Sequence, residues 1–164
     1  MLYYPSTSSN TCLSSTPRLP KRVAPKLIID FKIFYSWQSD LPNATNRGLI
    51  GKALDDAAKS LRTISGEPVL DRDTRGVPGS PDIANTIFDK IEQAQVFVCD
   101  VSIINQNSEY RATPNPNVLI ELGYAVKTLG WGKIIIVINT AFGTIEELPF
   151  DIRMRRVTNY HIPE

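Results

Sequence analysis

The chain has one histidine and two cysteines, and no apolar run near the ~18 residues that a membrane-spanning helix needs. His161 stands close to the C-terminus, Cys12 lies in a polar opening stretch, and Cys99 lies inside an apolar run. These few ligands cannot make a structural zinc site, and a Ser–His–Asp or Cys–His centre would have only His161 to use. Two cysteines in such different settings argue against a native disulfide and for a reducing cytoplasm. Ser, Thr and Pro interrupt the N-terminus throughout, so it lacks the continuous apolar core of a secretion signal. Neither GxxxxGK followed by Ser or Thr nor GxGxxG occurs, which excludes phosphate cradles of those kinds. Net charge is scarce too: 18 basic against 17 acidic residues leave +1, too weak a field to draw the chain to nucleic acid or an anionic membrane. The chemistry must therefore rest on carboxylates, hydroxyls, amides, aromatics or arginines.

What is present is a globular composition, 42% hydrophobic and 21% charged over 164 residues, which suits one domain. Residues 1–25 are an exception. They are rich in Ser, Thr and Pro, and with Lys26 they hold four basic residues and no acid. Such a segment buries too little surface to offset its ordering entropy, so a disordered basic tail is expected before a domain over residues 26–164.

Within that domain, strands and helices alternate. Phe31–Tyr35, Pro68–Leu70, Val96–Val101, Lys133–Ile138 and Val157–Ile162 read as strands. The run KIIIVI is continuous, as in a strand covered on both faces. Over Asn43–Arg62, the residues Leu49, Ile50, Ala53, Leu54, Ala57, Ala58 and Leu61 repeat at helical spacing. Ser80-Pro81-Asp82 reads as a cap, a first-turn proline and a dipole-favoured acid, opening a helix with Ile83, Ile87, Phe88, Ile91 and Ala94 as its buried stripe. Asn115-Pro116 repeats the signal for a helix to about Leu129, and a short helix is expected at Ile145–Leu148. The alternation predicts an α/β, flavodoxin-like three-layer fold around a mainly parallel five-stranded sheet. A further helix should cover the last strand, yet the sequence stops at Glu164. Either that edge pairs with another molecule, or the chain is one piece of a longer product.

Ligands of such sheets bind beyond the carboxyl ends of the strands. Tyr35, Ser36 and Trp37 stand there after the first strand, Asp71 and Arg72 after the second, Asp100 and Ser102 after the third, and Asn139 after the fourth. On the helix from Asn115, a stripe of Val118, Leu122, Ala125 and Leu129 puts Glu121 roughly 60–80° off its centre, on the flank. Gly123 costs that helix roughly 1 kcal/mol relative to alanine, which suggests close packing by a strand or a ligand. Each residue also has a bland role. Glu121 would serve the dipole or an arginine, Trp37 the core, and Asp71 with Arg72 a solvated pair. Asp100 would bind backbone donors and Asn117 would finish the helix cap. The arginines of Arg153-Met154-Arg155-Arg156 read as a solvated face or salt-bridge partners.

PNPNVLIELGYA resembles the catalytic-helix motif of prokaryotic Toll/interleukin-1-receptor-type (TIR-like) domains that cleave NAD. FYSWQSDLPNATNR resembles their first strand and loop, DRDTRGVPGSPDIANTIFDKI the loop after strand two, and LPFDIRMRRVTNY the C-terminal end. The resemblance spans about residues 31–162, in four blocks in the right order. Asn117 replaces a tryptophan common in plant and animal members, and the final covering helix is missing. The resemblance implies an NAD glycohydrolase with Glu121 as its catalytic carboxylate, meeting the ribose, with NAD as substrate and no further cofactor. Tyr35, Ser36, Trp37, Asp71, Arg72, Asp100 and Asn117 would border the substrate, with Trp37 as a stacking surface. It further implies a homo-oligomer formed through TIR–TIR contacts, a sensor domain or partner protein, and a role in cytoplasmic antiviral defence.

Two rival readings remain at this stage. One is a nucleoside 2-deoxyribosyltransferase-like enzyme, which also sets a glutamate before an apolar-Gly-Tyr-Ala stretch. The other is a non-catalytic TIR interaction module, which has no need of a carboxylate at position 121.

Overall fold

Alternating strands and helices run through the chain as β1 (Lys32–Ser36), α1 (Arg47–Ser65), β2 (Val69–Asp71), α2 (Ile83–Gln93), β3 (Val96–Asp100), α3 (Pro116–Leu129), β4 (Ile134–Asn139), α4 (Phe150–Arg153) and β5 (Val157–Tyr160). The computed structural model describes residues 31–65, 68–72, 82–106 and 109–164. The Ser/Thr/Pro-rich tail, the loop from 73 onward and the Ser80-Pro81 helix start lie outside the described residues. The strands pair in the order β2-β1-β3-β4-β5, every neighbour parallel. This is the flavodoxin-like order, and the sheet is parallel throughout.

Strand alternation divides the core into two layers. Phe34, Phe97, Cys99, Ile136 and Ile138 face α2, α3 and α4, where Ile91, Val118, Leu122, Ala125 and Ile152 complete the larger cluster. Phe34 and Phe97 stack there with ring centroids 5.9 Å apart. Ile33, Tyr35 and Val98 face the other way, onto Ile50 and Leu54 of α1.

That second layer is thinner than the sequence suggests. Of the expected α1 stripe, Ile50 and Ala58 are buried and Leu54 is half-buried, whereas Ala53 and Ala57 are exposed and Leu61 is 43% exposed. Among the described residues α1 is the one helix in this layer, so only the line of residues nearest the sheet finds partners. For the same reason β4 is not covered on both faces: Ile135, on the α1 side, is 44% exposed.

Helix starts follow local capping chemistry. Asp82 caps α2, accepting from the Asn85 N–H at 3.2 Å, so the acid expected inside the first turn is the cap itself. Asn115 caps α3 and Pro116 takes its first position. The short helix expected near residue 145 is a single 3-10 turn, Ile145–Glu147, and the four-residue α4 follows it.

Candidate active site

The Asn115 Oδ1 accepts the N–H of Asn117 at 2.8 Å and that of Val118 at 3.4 Å, which fixes the entry of α3. Burial of Val118, Leu122 and Ala125 then sets the helix rotation and turns Glu121 to the flank, half-buried. Among the described residues no cation pairs with it. Burial pushes its carboxyl above the ordinary value, and the nearby Ser36 hydroxyl opposes that rise by favouring the charged form. Removal from water therefore outweighs the help of that hydroxyl.

Glu121 stands where two chambers meet. The first, about 200 Å³, lies at the carboxyl end of β1 and is bordered by Phe34, Tyr35, Ser36, Trp37, Gln38, Ser39, Ile87, Asn115, Asn117 and Glu121. The second, about 310 Å³, is an apolar slot between the first turns of α2 and α3, walled by Ile83, Ala84, Ile87, Phe88, Asn117, Ile120 and Glu121. Deeper along the same helices, Phe88 stacks on Tyr124 at 4.3 Å between centroids, and the Tyr124 hydroxyl donates to Glu92. Glu121 is the one ionisable acid or base on either lining among the described residues, apart from the phenol of Tyr35.

The rim is built from the β1–α1 loop. Gln38 Oε1 accepts the N–H groups of Asp40 at 2.7 Å and Leu41 at 3.1 Å. The Asn115 Nδ2 donates to Asp40 at 2.6 Å, so one asparagine caps α3 and also ties the loop to it. The Arg47 guanidinium lies over the Trp37 ring, 3.3 Å from its centroid. One face of the indole is thus taken by a cation, leaving at most the other for a ligand.

Behind the rim lies a buried polar network. Asp100 Oδ1 accepts from the Ser102 N–H at 3.0 Å and the Ser102 hydroxyl at 2.5 Å, while Oδ2 accepts from Asn46 at 3.1 Å and Gln38 at 3.4 Å. Asn139 Nδ2 donates to the Asn46 side chain and to the Ile162 carbonyl. Two buried hydroxyls, Tyr35 and Ser36, make no well-formed hydrogen bond, and that of Ser36 stands close enough to Glu121 to favour its charged form. Burial, and next the Asp100 charge, push the Tyr35 phenol up, so it stays neutral.

The residues expected at the site divide accordingly. Tyr35, Ser36, Trp37, Asn117 and Glu121 border the first chamber, though the Tyr35 ring itself packs in the layer under α1. Asp71 and Arg72 do not reach either lining. Asp71 pairs with Lys90 at 2.7 Å, and Arg72 lies against Gly51 and pairs with Asp55 at 3.7 Å. Asp100 is fully buried in the network, where it serves backbone and side-chain donors rather than the cavity. Gly123 is not packed against anything, since a Cβ there would meet no atom within 4 Å. It instead helps to line an apolar groove between α3 and α4.

Sequence reasoning missed Gln38, Asn115 and Arg47 as builders of the rim, and Ile87 as the shared wall of the two chambers. His161 hydrogen-bonds Thr140 at 3.0 Å and lines neither chamber. The Cys99 thiol is fully buried and pushed up, first by burial and then by Asp100 and Glu121, so it is held protonated. Arg153 and Arg155 lie over the rings of Phe150 and Trp131, at 5.4 and 4.3 Å, rather than in salt bridges among the described residues.

The site and sheet together define an α/β domain with a single-carboxylate cleft at its strand ends. No protein family matches the chain, and no curated protein matches it. Among solved structures, it is similar to a 2-desoxiribosyltransferase from Leishmania mexicana, with a TM-score of 0.40 and 17% identity over 66% of this chain. The aligned part spans 65% of that protein's length. Likeness at that level assigns no activity. No helix among the described residues is long and apolar enough to cross a membrane.

Proposed function

We propose that the chain is a TIR-like enzyme that cleaves the nicotinamide–ribose bond of NAD, with Glu121 as the catalytic carboxylate. The observation that carries this reading is a half-buried carboxyl, without an ion-pair partner among the described residues, at the junction of the two chambers. Ordinary glycosidases need a second carboxyl to protonate a poor leaving oxygen. Nicotinamide in NAD already carries positive charge and needs no such donor. The C1′–N bond breaks with its electron pair going to the pyridine nitrogen, and neutral nicotinamide leaves. Glu121 stabilises the oxocarbenium-like ribose, water adds at C1′, and one proton is released with ADP-ribose. The buried Ser36 hydroxyl, beside Glu121 and without a well-formed hydrogen bond, is suited to a ribose hydroxyl.

By the same resemblance, activity depends on self-association, and the biological setting is antiviral defence in the cytoplasm. The open α1 side of β4 around Ile135 gives such contacts apolar surface to bury.

A second reading, cleavage of a 2-deoxynucleoside, is favoured by the raised proton affinity of Glu121. A neutral base needs a proton to leave, and a half-buried carboxyl beside the sugar stands in the place of such a donor. The test is turnover of NAD beside 2-deoxynucleosides by concentrated protein, wild type and Glu121→Gln. NAD loss that falls by about a hundredfold or more in the variant supports the first reading. Turnover confined to deoxynucleosides supports the second, and undiminished NAD turnover in the variant removes Glu121 from the mechanism.

A further inference from the structure

The cleft's two chambers differ in chemistry as well as place. The one at the end of β1 offers hydroxyls and amides from Ser36, Gln38, Ser39, Asn115 and Asn117. The slot between α2 and α3 offers Ile83, Ala84, Ile87, Phe88 and Ile120. Ile87, Asn117 and Glu121 belong to both, so a ligand passing from one to the other crosses the carboxylate.

Two exposed isoleucines, one of them against sequence expectation, point to the slot as an open surface. Ile83 was expected in the buried stripe of α2, yet it is 64% exposed, and Ile120 across from it is 60% exposed. Phe88, on the same lining, stacks on Tyr124 of α3. Apolar walls that remain wet beside a carboxylate suit a flat, weakly polar ring.

We infer that the α2–α3 slot is the subsite for the leaving base, a planar heteroaromatic ring, while the polar chamber receives the sugar. The scissile bond then spans the junction, with its sugar carbon beside Glu121 and its ring nitrogen on the apolar side. This rests on the reading of the chain as an N-glycosidic bond-cleaving enzyme and adds the orientation of the substrate. It also differs from stacking of the base on Trp37, whose one face Arg47 already covers.

The test uses nicotinamide alone as probe, followed through the methyl signals of Ile83, Ile87 and Ile120 and the indole signal of Trp37. Two variants at exposed positions accompany it, Ala84→Phe to fill the slot and Ile120→Ser to strip one wall, each checked for an unchanged melting transition. The isoleucine methyls should shift and saturate, and both variants should weaken nicotinamide binding, and its inhibition of turnover, by roughly tenfold or more. Shifts confined to Trp37, with wild-type nicotinamide binding in both variants, overturn the assignment. The two inferences fail separately. Glu121-dependent turnover with shifts only at Trp37 sinks the slot alone, and slot binding without turnover of any substrate sinks the enzymatic reading alone.

Discussion

The Arg47 guanidinium lies 3.3 Å from the centre of the Trp37 ring, at the point where the β1–α1 loop enters its helix. The contact fixes the indole at the rim of the cleft and places a permanent positive charge next to it. A partly desolvated pair of this type contributes about 0.5–2 kcal/mol. Arg47→Ala should therefore lower stability by about 1 kcal/mol. It should also change the emission of Trp37, read in a Trp131→Phe background. If the cation helps to hold an anionic substrate, KM for NAD rises more than kcat falls. Unchanged emission would show that the pair does not persist in solution.

The Glu121 carboxyl is raised by burial, and that has consequences for both rate and stability. If catalysis uses the ionised form, activity falls as pH drops, with a midpoint above the ordinary glutamate value of 4.5. The folded state holds this proton more tightly than the unfolded chain does. Stability from this group is thus greatest below the unfolded pKa and declines as pH rises from there through the folded pKa. Glu121→Gln should melt higher than wild type at neutral pH, with the gap closing in acid. A variant less stable at neutral pH would mean that the carboxylate is paired in solution.

At Gly123 the outcome turns on empty space rather than on charge. A methyl group there would touch nothing within 4 Å, and the position is exposed in mid-helix. Gly123→Ala should stabilise the domain by about 1 kcal/mol through helix propensity. Thermal melting should then rise by roughly 2–4 °C. A fall in melting temperature would indicate that the groove beside α3 is normally filled.

Legibility in the sequence tracked the range of the interactions. Asn115-Pro116 announced α3 because capping is local, and the Val118–Leu122–Ala125 stripe fixed its rotation and hence the flank position of Glu121. The strand runs gave an α/β sheet for the same reason. Gly123 misled because propensity records only a cost, and whether a neighbour or empty space stands opposite depends on α4. Asp71 and Arg72 pair with Lys90 and Asp55, which stand 19 and 17 residues away on two different helices, so position at a strand end does not encode these contacts. The spacing of Ile83 predicts core, yet burial depends on where α3 lies, which periodicity within α2 does not encode.

Asn139 reaches from the end of β4 to both backbone groups of Ile162, receiving its N–H at 3.1 Å and giving to its carbonyl at 2.9 Å, while the same amide grips Asn46. The last residues are in this way stitched to the floor beneath Gln38 and the loop it shapes. Loosening that seam by heat, by a bulky tag or by a docked protein would slacken the amides in turn, so events at the C-terminus should be felt as a change in the cleft's shape.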